Sequence, residues 1–395
     1  MHSPDLDHVP PVDDEADAAK GQGALTWATM PFDPYLALAL VTLLGLGLVL
    51  VYSSSAVYAA RNLADAHRFL RAQAVWTALG LGALFLGALI PGPLLARRAL
   101  LLLAVTLALL AAVLVPGVGH FVGGARRWLV LGPISCQPSE AAKLTCTIVL
   151  AQIFSRRGDE PLTARALWVP VCICQLPVAL ILLEPDLGTA IVIELILGLM
   201  LFAAGLRLRV LLMLALAAMP MLYHLIVGTP FRLRRMLGYI DPWAFRSTIG
   251  YQVTEALISI GSGGLWGKGL GDGMQKLFFL PEAHTDFIFA ILAEELGLAG
   301  VLLVLLCFGT LIVRGIALSI AAQAPFDRYL ALGLTALVGV PAILNLCVAT
   351  GLLPTKGLPL PFISYGGSNL LVTLMGMGLL FRIDHTVRSA RVTNR

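Results

Sequence analysis

Four stretches carry side chains able to bind and react with a charged substrate, and each interrupts long runs of Leu, Ala and Val. They are residues 124–140 (Gly-Ala-Arg-Arg-Trp-Leu-Val-Leu-Gly-Pro-Ile-Ser-Cys-Gln-Pro-Ser-Glu) with Lys143 just beyond, 184–189 (Glu-Pro-Asp-Leu-Gly-Thr), 280–290 (Leu-Pro-Glu-Ala-His-Thr-Asp-Phe-Ile-Phe-Ala) and 353–368 (Leu-Pro-Thr-Lys-Gly-Leu-Pro-Leu-Pro-Phe-Ile-Ser-Tyr-Gly-Gly-Ser). Asp286 lies where a long polar loop runs into an apolar segment, with His284 and Thr285 available to cap a helix there. Its carboxylate then faces the positive end of the helix dipole. A carboxylate so placed can take a proton from an attacking hydroxyl, and it can equally be an ordinary N-terminal helix residue. On a helical wheel Ala290, Ala293 and Gly297 continue its face, so a neighbouring helix can approach closely there, with Glu294 at the edge and Glu295 opposite.

Basic residues accompany these stretches: Arg126, Arg127, Lys143, Arg232, Arg234, Arg235, Arg246, Lys268, Lys276 and Lys356. Contact with lipid headgroups is one reading. Binding of an anionic substrate group, such as a lipid-linked phosphate, is the other. Lys356 with Ser368 divides the same way between substrate contact and a tight Gly-Gly turn that packs the cavity wall. Asp186 and Glu184 read as a helix start with structural or cavity-lining roles. Glu194, inside an apolar run, marks a functional or interhelical polar contact. The glycine-rich 261–271 lacks the spacing of a P-loop. Three histidines, 67, 120 and 224, lack metal-ligand spacing.

The elements that must position these residues are membrane helices. Of 395 residues 58% are hydrophobic and 13% charged, about half the charge of a soluble domain, so the composition specifies an all-α integral membrane protein. Net charge +4 is too small and scattered for nucleic-acid binding. The six cysteines sit largely in apolar runs and read as small apolar residues. About ten runs are long enough to cross a bilayer, near 35–54, 73–91, 99–116, 139–155, 166–183, 187–205, 210–227, 287–312, 329–350 and 368–382. A large outer loop, 228–286, separates the seventh from the eighth; its interleaved basic, apolar and aromatic residues suit the membrane interface. Arg and Lys are dense in the short loops and the C-terminal tail, which therefore face the cytoplasm, and the four stretches face outside. The expected organisation is a disordered cytoplasmic tail at 1–30, one polytopic domain at 31–384 and a cytoplasmic C-terminal tail at 385–395.

Together the four stretches resemble the SEDS family of cell-wall proteins (shape, elongation, division and sporulation), in family order and spacing and over nearly the whole chain after residue 30. Residues 281–286 and 354–357 look more like the division-type than the elongation-type members. Cys136 and Val130 depart from the family pattern, which usually has an aromatic and a basic residue there. The resemblance implies a peptidoglycan glycosyltransferase of the bacterial inner membrane, with both termini cytoplasmic. It would polymerise lipid II, the undecaprenyl-diphosphate-linked disaccharide pentapeptide, into glycan strands at the outer face. Asp286 would be the base, and Arg126, Arg127, Lys143, Lys268, Lys276, Lys356 and Ser368 would be substrate contacts. A diphosphate leaving group makes one base sufficient, unlike the carboxyl pair of glycoside hydrolysis. The resemblance further implies a single-span class B penicillin-binding transpeptidase and other division proteins as partners. No organic cofactor is expected, and a divalent cation, Mg or Mn, bridging Asp286 and the diphosphate stays open. Two other readings compete: a transporter (flippase) for the lipid-linked precursor, suggested by broken helices and Glu194, and a scaffold without chemistry.

Overall fold

The computed structural model describes residues 32–393 except 123, 133, 158–163, 278, 279, 281 and 282; the tail expected at 1–30 lies outside them. The helices are α1 (Pro34–Leu63), α2 (Arg68–Leu89), α3 (Gly92–Leu114), α4 (Pro138–Ser155), α5 (Ala164–Leu183), α6 (Leu187–Ala203), α7 (Leu208–Val227), α8 (Pro230–Ile240), α9 (Tyr251–Ser262), α10 (Ile288–Ala321), α11 (Pro325–Ala349) and α12 (Gly367–Thr393). Seven of them, α1, α2, α3, α7, α10, α11 and α12, are long and apolar enough to cross a membrane by length and composition, and α5 and α6 contain shorter apolar stretches. The protein is a multi-pass membrane protein.

Three expectations change. An all-α chain was expected, but a three-stranded antiparallel sheet, β1 (Gly119–Val122), β2 (Ala125–Leu131) and β3 (Ile134–Cys136), follows α3. Its turns need Gly124 and Gly132 at φ of 85° and 64°, a region open to glycine at little cost. The segment 228–286 holds two short helices, α8 and α9, rather than only loop. Residues 385–393, expected as a tail, continue α12.

Sequence punctuates the helices in recognisable ways. Asp33 caps α1 by accepting from the amides of Tyr35 and Leu36, and Asp186 caps α6 by accepting from Thr189 N. Prolines occupy the first turns of α1, α3, α4, α8 and α11, where no helical N–H is lost. The core is Leu, Ile and Val from α1, α4, α6, α10, α11 and α12, while large apolar side chains such as Leu216 and Ile320 point outward, as lipid-facing surfaces require. Glycines allow close packing: a Cβ on Gly87 of α2 would stand 2.7 Å from the Met375 carbonyl of α12, and one on Gly47 of α1 would collide with the Phe362 carbonyl.

At one pole, ion pairs join the ends of α1, α10, α11 and α12. Buried Asp33 receives Arg314 Nε at 2.6 Å, Asp384 pairs with Arg388 at 2.8 Å, and Asp327 pairs with Arg382 at 2.5 Å. The four polar stretches meet at the opposite pole, where α5, α11 and the sheet end and α6, α10 and α12 begin.

Candidate active site

Asp286 sits in a turn just before α10. The helix begins at Ile288 with Phe287 as its N-cap, and His284 and Thr285 lie in the turn before it. Their carbonyls, and that of Asp286, are tied to a different part of the chain. Tyr365 N donates to His284 O (3.0 Å), Ser364 Oγ to Thr285 O (2.6 Å) and Asn345 Nδ2 to Asp286 O (2.9 Å). The half-buried carboxylate lies against Gly357, where a Cβ would stand 3.2 Å from Oδ2. It also attracts Arg235 of α8.

Arg235 opens a group of cations. Its Nη1 donates to Thr355 O at 3.3 Å, just before Lys356. Arg232, one turn earlier on α8, donates to Leu225 O (3.0 Å) and Pro185 O (3.4 Å). Arg127 of β2 reaches the same place, with Nε to Glu184 O (2.9 Å) and Nη2 to Pro185 O (2.8 Å). Arg127 is the extra residue where the register of β1 and β2 shifts, between Trp128 opposite His120 and Arg126 opposite Phe121. None of Arg127, Arg232, Arg235 or Lys356 forms a side-chain ion pair among the described residues. Burial, reinforced by Arg232 and opposed by Asp186, pushes Lys356 down to about 8. Burial and the neighbouring Asp186 push Glu184 up to about 8, against Arg127. Burial likewise lowers Arg235, against the pull of Asp286.

The remaining expected contacts are engaged elsewhere. Lys143 is buried and pairs with Glu140 at 2.8 Å, which also accepts from Asn369 at 2.8 Å. Lys268 pairs with Glu294 at 2.7 Å and Lys276 with Glu295 at 2.6 Å. Ser368 Oγ accepts from Gln137 N (3.0 Å) and donates to Ser135 O (3.2 Å), while Gln137 Nε2 reaches Asp186 Oδ2 at 3.3 Å. These bonds tie β3 and the start of α4 to α6 and α12. The structure therefore joins Asp286, Arg127 and Lys356 in one region and holds Lys143, Lys268 and Lys276 in ion pairs. Glu194 accepts from Gln175 at 2.6 Å, the interhelical polar contact its position suggested. Among the described residues no group of three or more His, Cys, Asp or Glu is placed to hold a metal ion.

The family FTSW_RODA_SPOVE, described as "Cell cycle protein", matches residues 34–389. The chain belongs to this family. Its relatives include a "Probable peptidoglycan glycosyltransferase FtsW" of Geobacter sulfurreducens, 40% identical over 360 residues and spanning 91% of this chain and 96% of that one. One of the same name from Alkalilimnicola ehrlichii is 44% identical over 372 residues, 93% of this chain and 92% of its own. The FtsW names agree with the division-type character of residues 281–286 and 354–357. Among solved structures, a chain of "Structural coordination of polymerization and crosslinking by a peptidoglycan synthase complex" is similar at a TM-score of 0.75 and 34% identity, covering 90% of this chain and 98% of that one. The rod shape determining protein RodA of Thermus thermophilus is similar at 0.67 and 33%, covering 90% and 97%.

For this FtsW/RodA-type chain, sequence reasoning grouped Arg232 and Arg235 with the outer basic residues without singling them out, and it missed Asn345. The available signal for Asn345 was an amide inside an otherwise apolar span, which is costly unless its hydrogen bonds are made.

Proposed function

We propose that the protein is a peptidoglycan glycosyltransferase that polymerises lipid II at the outer face of the bacterial cytoplasmic membrane during division, with Asp286 as general base. The observation that carries this reading is a half-buried carboxylate that attracts Arg235, in the same region as Arg127, Arg232 and Lys356, all of them cations that form no side-chain ion pair among the described residues. Asp286 takes the proton as the attacking sugar hydroxyl forms its bond to the anomeric carbon. The bond from that carbon to the diphosphate breaks, and the polyprenyl diphosphate leaves with the electron pair. The cations offset the charge that develops on it. The relatives' names and the synthase-complex neighbour support both the reaction and a class B transpeptidase as partner. Lys143, Lys268, Lys276 and Ser368 act in this reading by holding the walls of the site, and Arg126 contacts headgroups or the glycan. Asp286 with an arginine beside it is a poor donor set for a resident divalent ion, and among the described residues no group of three or more His, Cys, Asp or Glu is placed to hold one.

In the same reading all ten long helices, α1–α7 and α10–α12, cross the membrane, both termini are cytoplasmic and the Asp286 pole faces outside. Gel analysis of lipid II products tests the function, using wild type and Asp286→Ala, each with and without the transpeptidase. The account expects Asp286→Ala to lose at least about a hundredfold in rate in both settings while it still binds the partner. Polymer made by Asp286→Ala at the wild-type rate would sink it. Translocation of fluorescent lipid II by vesicles containing a polymerisation-silent protein would favour the flippase instead.

A further inference from the structure

Asn345 lies near the C-terminal end of α11, 1% exposed, and its amide does two things at once. Nδ2 donates to Asp286 O at 2.9 Å and to Leu358 O at 2.7 Å. One carbonyl belongs to the turn that carries the carboxylate. The other follows Lys356-Gly357, the segment that supplies a cation and the glycine against which the carboxylate rests. A single NH₂ group thus sets the spacing between acid and cation. The bond is an unusual choice for a membrane helix, because Asn345 Oδ1 is buried with no hydrogen-bond partner among the described residues, which costs free energy that an apolar residue would avoid. Ser364 works alongside it: its hydroxyl donates to Thr285 O at 2.6 Å and accepts from Leu360 N at 2.8 Å, again one bond to each segment.

We infer that Asn345, with Ser364 as its neighbour, is a positioning residue that holds Asp286 at its working distance from Lys356 and the reacting sugar. It does not touch substrate. The inference rests on the reading of Asp286 as the base. Misplacing a reacting group by about 1 Å can cost a hundredfold in rate, and Nδ2 fixes the main chain on either side of the gap.

The test uses the purified full chain with its transpeptidase partner and lipid II as substrate. It compares wild type, Asp286→Ala, Asn345→Ala and Asn345→Asp, the last having the same size but no amide donor. Each is measured for kcat, KM, thermal melting and the stoichiometry of lipid II binding. Asn345→Ala and Asn345→Asp are expected to lose about tenfold to a hundredfold in kcat, with KM within about twofold and one lipid II bound per molecule as in wild type. A merely structural role would lower the bound stoichiometry in step with the rate. Wild-type kcat in both Asn345 variants, or a rate loss matched by lost binding sites, would overturn the inference while leaving Asp286 in place. Full activity of Asp286→Ala would instead remove the base and the inference with it. Should Asn345→Ala not fold, Ser364→Ala, which removes the parallel pair of bonds, is read by the same criteria.

Discussion

Lys356 and Glu184 reach the same pH from opposite directions, and each makes a prediction. Burial and Arg232 pull Lys356 down to about 8, so it is cationic below that pH and neutral above it. If its charge binds the diphosphate, kcat/KM falls as pH rises through about 8. Lys356→Arg, whose guanidinium stays charged throughout, removes that alkaline limb in a pH–rate series. Glu184 keeps its proton in the folded state up to about 8, against an ordinary 4.5. Between those values the unfolded chain releases a proton that the folded chain retains, so stability falls as pH rises and the loss levels off above about 8. Glu184→Gln, neutral at every pH, therefore gains melting temperature over wild type between pH 6 and 8 and gains no more beyond it, as differential scanning fluorimetry in detergent can read. Asp286 and the cations Arg127 and Lys356 were legible in sequence because charge is rare here. Asn345 was not, because its role depends on two carbonyls 59 and 13 residues away in the chain.

α10 is broken where the glycine-rich segment meets it. Gly297 adopts φ 65° and ψ −161° inside the helix. Into that break the segment after α9 lays its main chain, with Lys268 N on Glu294 O (3.0 Å), Gly269 N on Glu295 O (3.0 Å) and Leu298 N on Gly264 O (3.0 Å). The two glutamates then collect the two lysines, and Glu294 also accepts from Met274 N and Gln275 N, while Glu295 accepts from Ser53 of α1. The resemblance implied Lys268 and Lys276 as substrate contacts, and the structure pairs them with Glu294 and Glu295. The Ala290, Ala293 and Gly297 face does meet a close neighbour, α9 and the glycines after it: Ser259 Oγ donates to Ala290 O at 2.9 Å. A methyl on Gly297 would strain a left-handed φ and strike Leu265 C at 2.8 Å. Gly297→Ala is expected to cost about 1–3 kcal/mol, seen as a lower melting temperature, and to expose residues 262–276 to protease. Helix existence was plain from the apolar runs. The sheet was not, since its strands are 4, 7 and 3 residues long and carry no strong alternation.

Across the whole molecule the few charges separate into two poles. One holds the interlocked pairs of Asp33, Asp327 and Asp384 with Arg314, Arg382 and Arg388. The other holds Arg127, Arg232, Arg235 and Lys356, without side-chain ion pairs among the described residues, near Asp286, Glu184 and Asp186. This division follows the sorting of basic residues by loop length, and it makes a topological prediction. With the native cysteines replaced, Trp243→Cys is expected to react with a membrane-impermeant maleimide on spheroplasts, and Arg209→Cys only after lysis; the reverse pattern would invert the molecule. The central claim, that Asp286 is the base for glycosyl transfer at the outer pole, is tested most directly by single-turnover lipid II polymerisation with purified Asp286→Ala and Asp286→Asn bound to the transpeptidase. The account predicts correctly melting, partner-binding proteins that form no detectable polymer; polymer at the wild-type rate from either variant would contradict it.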